Sequence, residues 1–289
     1  MTDRDASEPV VLAEPTSWGV RLTLNRPAKL NAISAELRDA LSTAIAEAAA
    51  DERIRVIAIA GAGRAFCAGY DLSEAAPPTA WAWRDVLARD VEATLAVWSC
   101  PKPVIAQVHG YALAGGLELA MACDLIVAAD DAQLGEAEIR FGSAPVTLLM
   151  PFVIGQKRTR ELLLTGDLIG AVEAERIGLV NRVVPADGLV AAVDALAEKL
   201  ARVPPDVMAP TKLMLNRAMD AAGFAAAVEM GLDLQSFVNM SETAREFDAI
   251  VRSDGLKAAL AWRDQRYDER LAGAAAERSS GQPEDPPAG

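Results

Sequence analysis

A single histidine, His109, serves the whole chain of 289 residues. A catalytic triad built on histidine, or a multi-histidine metal site, has little material here, so acid–base chemistry must fall mainly to carboxylates. Cysteine is nearly as scarce: Cys67, Cys100 and Cys123 lie far apart and form no CxxC pair. That spacing argues against a disulfide framework and reads as reduced core thiols in a cytoplasmic protein. No stretch reaches the roughly 18 uncharged apolar residues that a membrane span needs. The opening MTDRDASEPVVLAEP is acidic and lacks the apolar core of a secretory signal. Basic residues are outnumbered, 28 Lys and Arg against 41 Asp and Glu, for a net charge of −13. Nucleic acid, which is gripped by lysine and arginine on phosphate, is therefore not an expected partner. Aromatic residues make up only 5% of the chain.

Apolar residues, at 52%, are enough for one large domain with a true core. The first two-thirds alternates short apolar runs with helical segments. Val20–Leu24, Ile54–Ala60, Val104–Val108, Leu125–Ala128 and Val180–Val184 read as strands. Helices are predicted over Ala35–Ala50, capped by Ser34, and over Trp81–Trp98, closed by Pro101 and Pro103. Repeated strand–helix units with near-continuous apolar strands indicate an α/β fold. Beyond Pro204 the strands stop and four helices are expected, at 210–220, 223–240, 242–252 and 255–270. The division is thus a flexible N-terminus (1–9), an α/β core (10–203), a helical region (204–272) and a disordered tail rich in Pro, Gly, Ser and Ala (273–289).

Two loops carry the chemistry. His109-Gly110-Tyr111-Ala112-Leu113-Ala114-Gly115-Gly116-Leu117-Glu118 places two glycines where a loop turns into a helix. A helix N-terminus has backbone N–H groups without internal partners, and its dipole favours negative charge. Glycine lets a ligand atom approach that backbone, and Glu118 in the first turn adds a carboxylate beside it. Taken alone, such a run is more often a capping turn. A second glycine-bearing loop, Gly61-Ala62-Gly63-Arg64-Ala65-Phe66-Cys67-Ala68-Gly69-Tyr70-Asp71-Leu72, also follows a strand and is expected to lead into a helix. It is not a dinucleotide fingerprint, because Phe66 stands where GxGxxG needs its last glycine.

Phe66-Cys67-Ala68-Gly69-Tyr70-Asp71-Leu72 together with the His109–Asp124 segment closely resembles the crotonase superfamily, the enoyl-CoA hydratase/isomerase family. The similarity extends through Asn25-Arg26-Pro27-Ala28-Lys29-Leu30-Asn31-Ala32, Leu164–Asp167, Ala174–Val180 and Trp262-Arg263, roughly residues 10 to 270 in consistent order. The resemblance implies a ββα spiral core with a C-terminal helical trimerisation region, assembled as a homotrimer or as a hexamer of two trimers. It implies an acyl-CoA thioester whose carbonyl oxygen meets the backbone N–H groups of Tyr70 and Gly115. Ala28, Lys29, Ala68, Gly69, Asp71 and Leu72 would line the substrate and CoA path, with Ala68 near the adenine end. Lys29 and Arg64 are candidates for the CoA phosphates.

In hydratases of this family two glutamates do the chemistry, one in the helix after Gly-Gly and one about twenty residues later. Glu118 and Glu138 fill those positions, with Glu136 as a rival in the second segment. The implied reaction is hydration of a trans-2-enoyl-CoA. Glu118 activates water for attack at Cβ and Glu138 protonates Cα, without a metal or other cofactor. Two other readings stay open. A Δ3-Δ2-enoyl-CoA isomerase would need Glu138 alone, and a silent CoA-binding oligomeric scaffold would need neither glutamate. No aspartate of the kind used by dehalogenase relatives stands between Ser143 and Leu149. That stretch departs from the glycine-rich family pattern, so it does not carry over a chain-length preference. Trp262 stands where some members have a CoA-contacting lysine, and His109 is expected to be structural.

Overall fold

The computed structural model describes residues 8–280. Strands β1 (Val11–Pro15) and β2 (Gly19–Leu24) form an antiparallel pair at the edge of the main sheet. Helix α1 (Ala35–Ala50) follows as expected, with Ser34 accepting from the Leu37 N–H as its N-cap. Strand β3 (Val56–Gly61), helix α2 (Ala80–Ser99), β4 (Val104–Val108), the short β5 (Tyr111–Leu113) and α3 (Gly115–Ala122) come next. After them run β6 (Leu125–Ala129), β7 (Gln133–Gly135), α4 (Met150–Val153), α5 (Gly155–Thr165) and β8 (Leu168–Gly170). Helix α6 (Ala171–Arg176), β9 (Arg182–Val184) and α7 (Leu189–Ala201) complete the core.

The main sheet has the order β1-β2-β3-β4-β6-β9, parallel from β2 onward. A smaller sheet has the order β5-β7-β8. Each turn of chain thus lays one long strand in the first sheet, one short strand or bridge in the second, and then a helix. Strands β3 and β4 are buried along nearly their whole length, so they read as continuous apolar runs. Their side chains still alternate. Ile57, Ile59, Val104 and Ala106 face the larger core with α1, α2 and α3, whereas Val56, Ala58 and Ile105 face α7.

Beyond the core lie α8 (Pro205–Ala221), α9 (Phe224–Val238), α10 (Glu242–Asp254) and α11 (Leu256–Ser280). Two local expectations change. No helix follows the 61–72 loop directly: turns intervene, and α2 starts only at Ala80. Helix α11 runs to Ser280, eight residues past the boundary set at 272. The reason is that residues 273–280 are alanine-rich and the next proline is Pro283, so helical propensity carries the helix onward. The remainder of the expected tail, and residues 1–7 of the expected flexible N-terminus, lie outside the described residues.

Candidate active site

The loop after β3 is held between two other segments by its backbone. The Cys67 N–H donates to the Tyr111 carbonyl at 2.9 Å and the Leu113 N–H returns to the Cys67 carbonyl at 3.0 Å. On the other side, the Ala68 N–H reaches Leu30 O, the Ile33 N–H reaches Gly69 O, and the Asp71 N–H reaches Ile33 O. The Tyr70 N–H is skipped by this ladder and has no acceptor among the described residues. The Gly115 N–H is also free, as the first position of α3 should be. The two loops touch: a Cβ on Gly69 would come within 2.7 Å of Ala114 Cβ and 3.4 Å of Gly115 N. The two unpartnered donors expected from the sequence are therefore brought side by side.

Asn31 explains how the earlier Asn-Arg-Pro segment serves this loop. It is fully buried at φ 56°, and its Nδ2 donates to Ala62 O and Ala65 O at 2.8 Å and to Phe66 O at 3.2 Å. Its Oδ1 accepts from the Arg26 N–H. Asp71 is tied to Arg26 at 2.8 Å and anchors the loop's far end. Ala28 and Lys29, on a short 3-10 helix (Pro27–Lys29), are exposed beside this loop, as is Arg64. Ala68 and Leu72 are partly buried and Gly69 is buried. His109 binds the Gly63 carbonyl through Nε2 at 3.0 Å, a structural contact. Trp262 packs beside Phe247 and under Arg266, so it works as an aromatic brace between α10 and α11.

The acidic side of the site is sealed. Glu118 is 1%, Glu136 2% and Glu138 8% exposed. Glu118 Oε1 accepts two backbone N–H bonds, from Val146 at 2.7 Å and Thr147 at 2.8 Å, while its Oε2 is unpartnered. Its proton affinity is raised by burial, and those two amides pull it only part of the way back. Glu138 lacks two such donors. Burial, and then the neighbouring Glu118, push it up to about 8. Glu136 is driven well above the usual carboxylate range, first by burial and then by Glu138 and Glu118. Six of the seven buried side-chain polar atoms without a partner among the described residues belong to Tyr70, Glu118, Glu136, Glu138 and Thr147. Buried polar groups are normally satisfied, so this concentration marks where a ligand's polar atoms belong.

Comparison with known proteins shows the family of the chain. The sequence profile of the enoyl-CoA hydratase/isomerase family matches residues 19–251. This chain belongs to that family. It is 38% identical over 205 residues to the "Probable enoyl-CoA hydratase" of Mycobacterium tuberculosis, covering 70% of this chain and 79% of the relative. It is 38% identical over 208 residues to the (E)-benzylidenesuccinyl-CoA hydratase of Thauera aromatica, covering 71% of this chain and 80% of the relative. Among solved structures, an enoyl-CoA hydratase/isomerase from Xanthobacter autotrophicus Py2 superposes with a TM-score of 0.86 at 40% identity, covering 89% of this chain and 98% of that one. An enoyl-CoA hydratase from Mycobacterium smegmatis superposes with a TM-score of 0.84 at 28% identity, covering 89% and 94%. The crotonase-type fold expected from the sequence is therefore the fold of this enoyl-CoA hydratase/isomerase family member.

Several contributors had no signal in the sequence. The Val146 and Thr147 amides come from the stretch that departs from the family pattern. Asp90, 3.1 Å from its buried partner Arg38, adds negative field to both Tyr70 and Glu118. Asp90 itself is raised to about 6 by burial, against the pull of Arg38. The Tyr70 ring lies on Gly115, where a Cβ would meet its Cε2 at 2.5 Å, and its hydroxyl is buried without a partner.

Proposed function

We propose that this chain is an enoyl-CoA hydratase, adding water across the trans-2 double bond of an enoyl thioester. The observation that carries this reading is the unequal pair of buried carboxyls. Glu118 has two amides supporting its anion, while Glu138 keeps its proton to about pH 8. Glu118 accepts a proton from water as the oxygen attacks Cβ. Charge then moves to the thioester oxygen, which the Tyr70 and Gly115 N–H groups receive. Each such donor is worth about 3 kcal/mol in a water-poor site, and the dipole of α3 adds to the Gly115 contribution. Glu138 delivers its proton to Cα as the enolate collapses, so one water is added in total. A proton then passes from Glu118 to Glu138 to restore the starting state.

An isomerase would use one carboxyl to carry a proton between two carbons and would not need the base built at Glu118. A silent scaffold would not need two buried acids whose burial lowers stability. No metal or redox group enters the chemistry, and coenzyme A arrives with the substrate. The three buried thiols fit a reducing, cytoplasmic setting. We place the CoA phosphates near Lys29 and Arg64, whose loops abut where a Cβ on Gly63 would come within 2.8 Å of Pro27 Cβ.

The test is hydration of crotonyl-CoA, followed by loss of absorbance of the enoyl thioester. Glu118→Gln and Glu138→Gln should each lose about 10²- to 10⁴-fold in kcat, the usual worth of a positioned acid or base. A Glu118→Gln protein hydrating at the wild-type rate would sink this reading. If that variant instead moved a 3-enoyl double bond to position 2 at full rate, the enzyme would be an isomerase.

A further inference from the structure

Glu136 is a buried acid that the hydration scheme does not use. It follows Gly135 at the end of β7 and precedes the 3-10 helix Ala137–Phe141 that carries Glu138. Both of its oxygens are buried and neither has a hydrogen-bond partner among the described residues. The groups that act on it are Glu138 and Glu118, both acidic, with no cation among them. An anion in that position would face full desolvation and the negative charge of Glu118, with no cation to offset either, so the side chain is a neutral carboxylic acid. It then has one O–H to donate and one oxygen to accept with, and no protein group for either.

A residue serving only to fill this space would be better as a leucine, because an unpaired buried polar group costs about 1–3 kcal/mol. That cost disappears when a ligand supplies the partner. Resting on the reading of this pocket as an acyl site, we propose that Glu136 is a specificity residue, hydrogen-bonding a hydroxyl or keto oxygen on the acyl chain just beyond Cβ. The site thereby favours an oxygenated short enoyl thioester over its plain alkyl counterpart. Proximity to Glu138 puts the contact close to the reacting carbons. A neutral oxygen suits it better than a carboxylate, which the Glu118 anion would repel. A hydroxyl suits it best, since it accepts the Glu136 proton and returns its own to the other oxygen.

The test compares 4-hydroxy-trans-2-butenoyl-CoA with trans-2-pentenoyl-CoA, two acyl groups that differ by a hydroxyl in place of a methyl. The wild-type enzyme should favour the hydroxylated substrate by about tenfold or more in kcat/KM, because a site built to pair a hydroxyl leaves its own group unpaired with the methyl. Glu136→Gln, which keeps both a donor and an acceptor, should hold most of that ratio. Glu136→Leu should bring it to about one or invert it, since no polar group is then left unpaired. Dissociation constants for the saturated pair, 4-hydroxybutanoyl-CoA and pentanoyl-CoA, give a readout independent of turnover and show that each variant still folds and binds. Equal binding and turnover of the two wild-type partners would overturn the assignment, as would a Glu136→Leu protein that keeps the preference. If neither enoyl thioester is hydrated but the hydroxylated saturated one binds about tenfold more tightly, the hydratase reading fails while the Glu136 assignment stands.

Discussion

Three carboxyl groups in one dry pocket share a limited capacity for negative charge, and the amides around them decide where it goes. Glu118 receives two and Glu138 does not, so their roles differ although the residue type is the same. For hydration, kcat/KM should fall as pH rises through about 8, where Glu138 loses the proton it must deliver; a pH–rate profile checks this. The same shift has a stability sign. Glu138 binds its proton more tightly folded than unfolded, so its contribution is fully present below the unfolded pKa and is lost as pH rises toward about 8. Glu138→Gln should therefore melt higher than wild type at pH 8, with the difference shrinking toward pH 5, as calorimetry would show. Asn31 carries a different burden. Replacing it by Ala frees three carbonyls of the 61–72 loop and should cost about 3 kcal/mol or more. In a chain of this size that is a fall of about 6–10 °C in Tm. At this scale Glu118 and Glu138 were legible in the sequence, through spacing and resemblance. Their separate roles came only from the resemblance, and the physical difference between them was not legible, because it comes from the amides of Val146 and Thr147, 28 and 29 residues beyond Glu118.

Helix α9 reaches the chemistry indirectly. Its Gly231 lets the 146–148 stretch pack closely: a Cβ there would meet Leu148 Cδ1 at 2.9 Å and the Val146 carbonyl at 3.0 Å. Gln235, one turn on, donates to Ser143 Oγ at 2.6 Å, and that hydroxyl also pairs with Asn239. The helix thus holds the loop that holds Glu118. Gly231→Val should push Val146 and Thr147 away and lower kcat more than it raises KM, a split that steady-state kinetics resolves. Helices α10 and α11 brace the other glutamate, with Phe247 stacked on Phe141 at 4.8 Å, just after the turn bearing Glu138. Helix α3 has its own constraint, since a Cβ on Gly116 would meet the Cys67 carbonyl at 2.4 Å. The Gly-Gly pair is therefore needed twice: Gly115 gives room for the Tyr70 ring and Gly116 for the loop backbone. The helices themselves were readable because caps and breakers are local, as Ser34 shows. The start of α2 at Ala80 was readable too, one residue from the expected Trp81, whereas the turns that follow Leu72 in place of a helix were not, since they are set by loop packing.

Across the whole molecule, α8 and α9 leave apolar side chains in solvent, among them Val207, Leu213, Met214, Leu215, Met230, Leu234 and Phe237. Single exposed apolar residues are ordinary, but a run along two adjacent helices calls for a cover. We propose that further copies of the chain supply that cover, in the homotrimer or hexamer of two trimers that the family resemblance implies. On that proposal Leu234→Glu with Phe237→Glu should lower the molar mass read by light scattering to that of a monomer. Because Gln235 lies between them, crotonyl-CoA hydration should fall as well.

The strands β2, β3, β4, β6 and β9, the helices α1 and α2, the α/β class, the family, and the choice of Glu118 and Glu138 are all written in the sequence. Each rests on local periodicity, on glycine and proline punctuation, or on motifs short enough to read along the chain. Only the folded chain supplies the amides that set Glu118 apart from Glu138, seals Glu136 in beside them, and lets Asn31 and α9 support loops they do not adjoin in sequence. Those outcomes depend on burial and on hydrogen bonds between segments distant in sequence. A carboxyl's proton affinity answers to the groups around it in space, and those neighbours are chosen by the packing of the whole core.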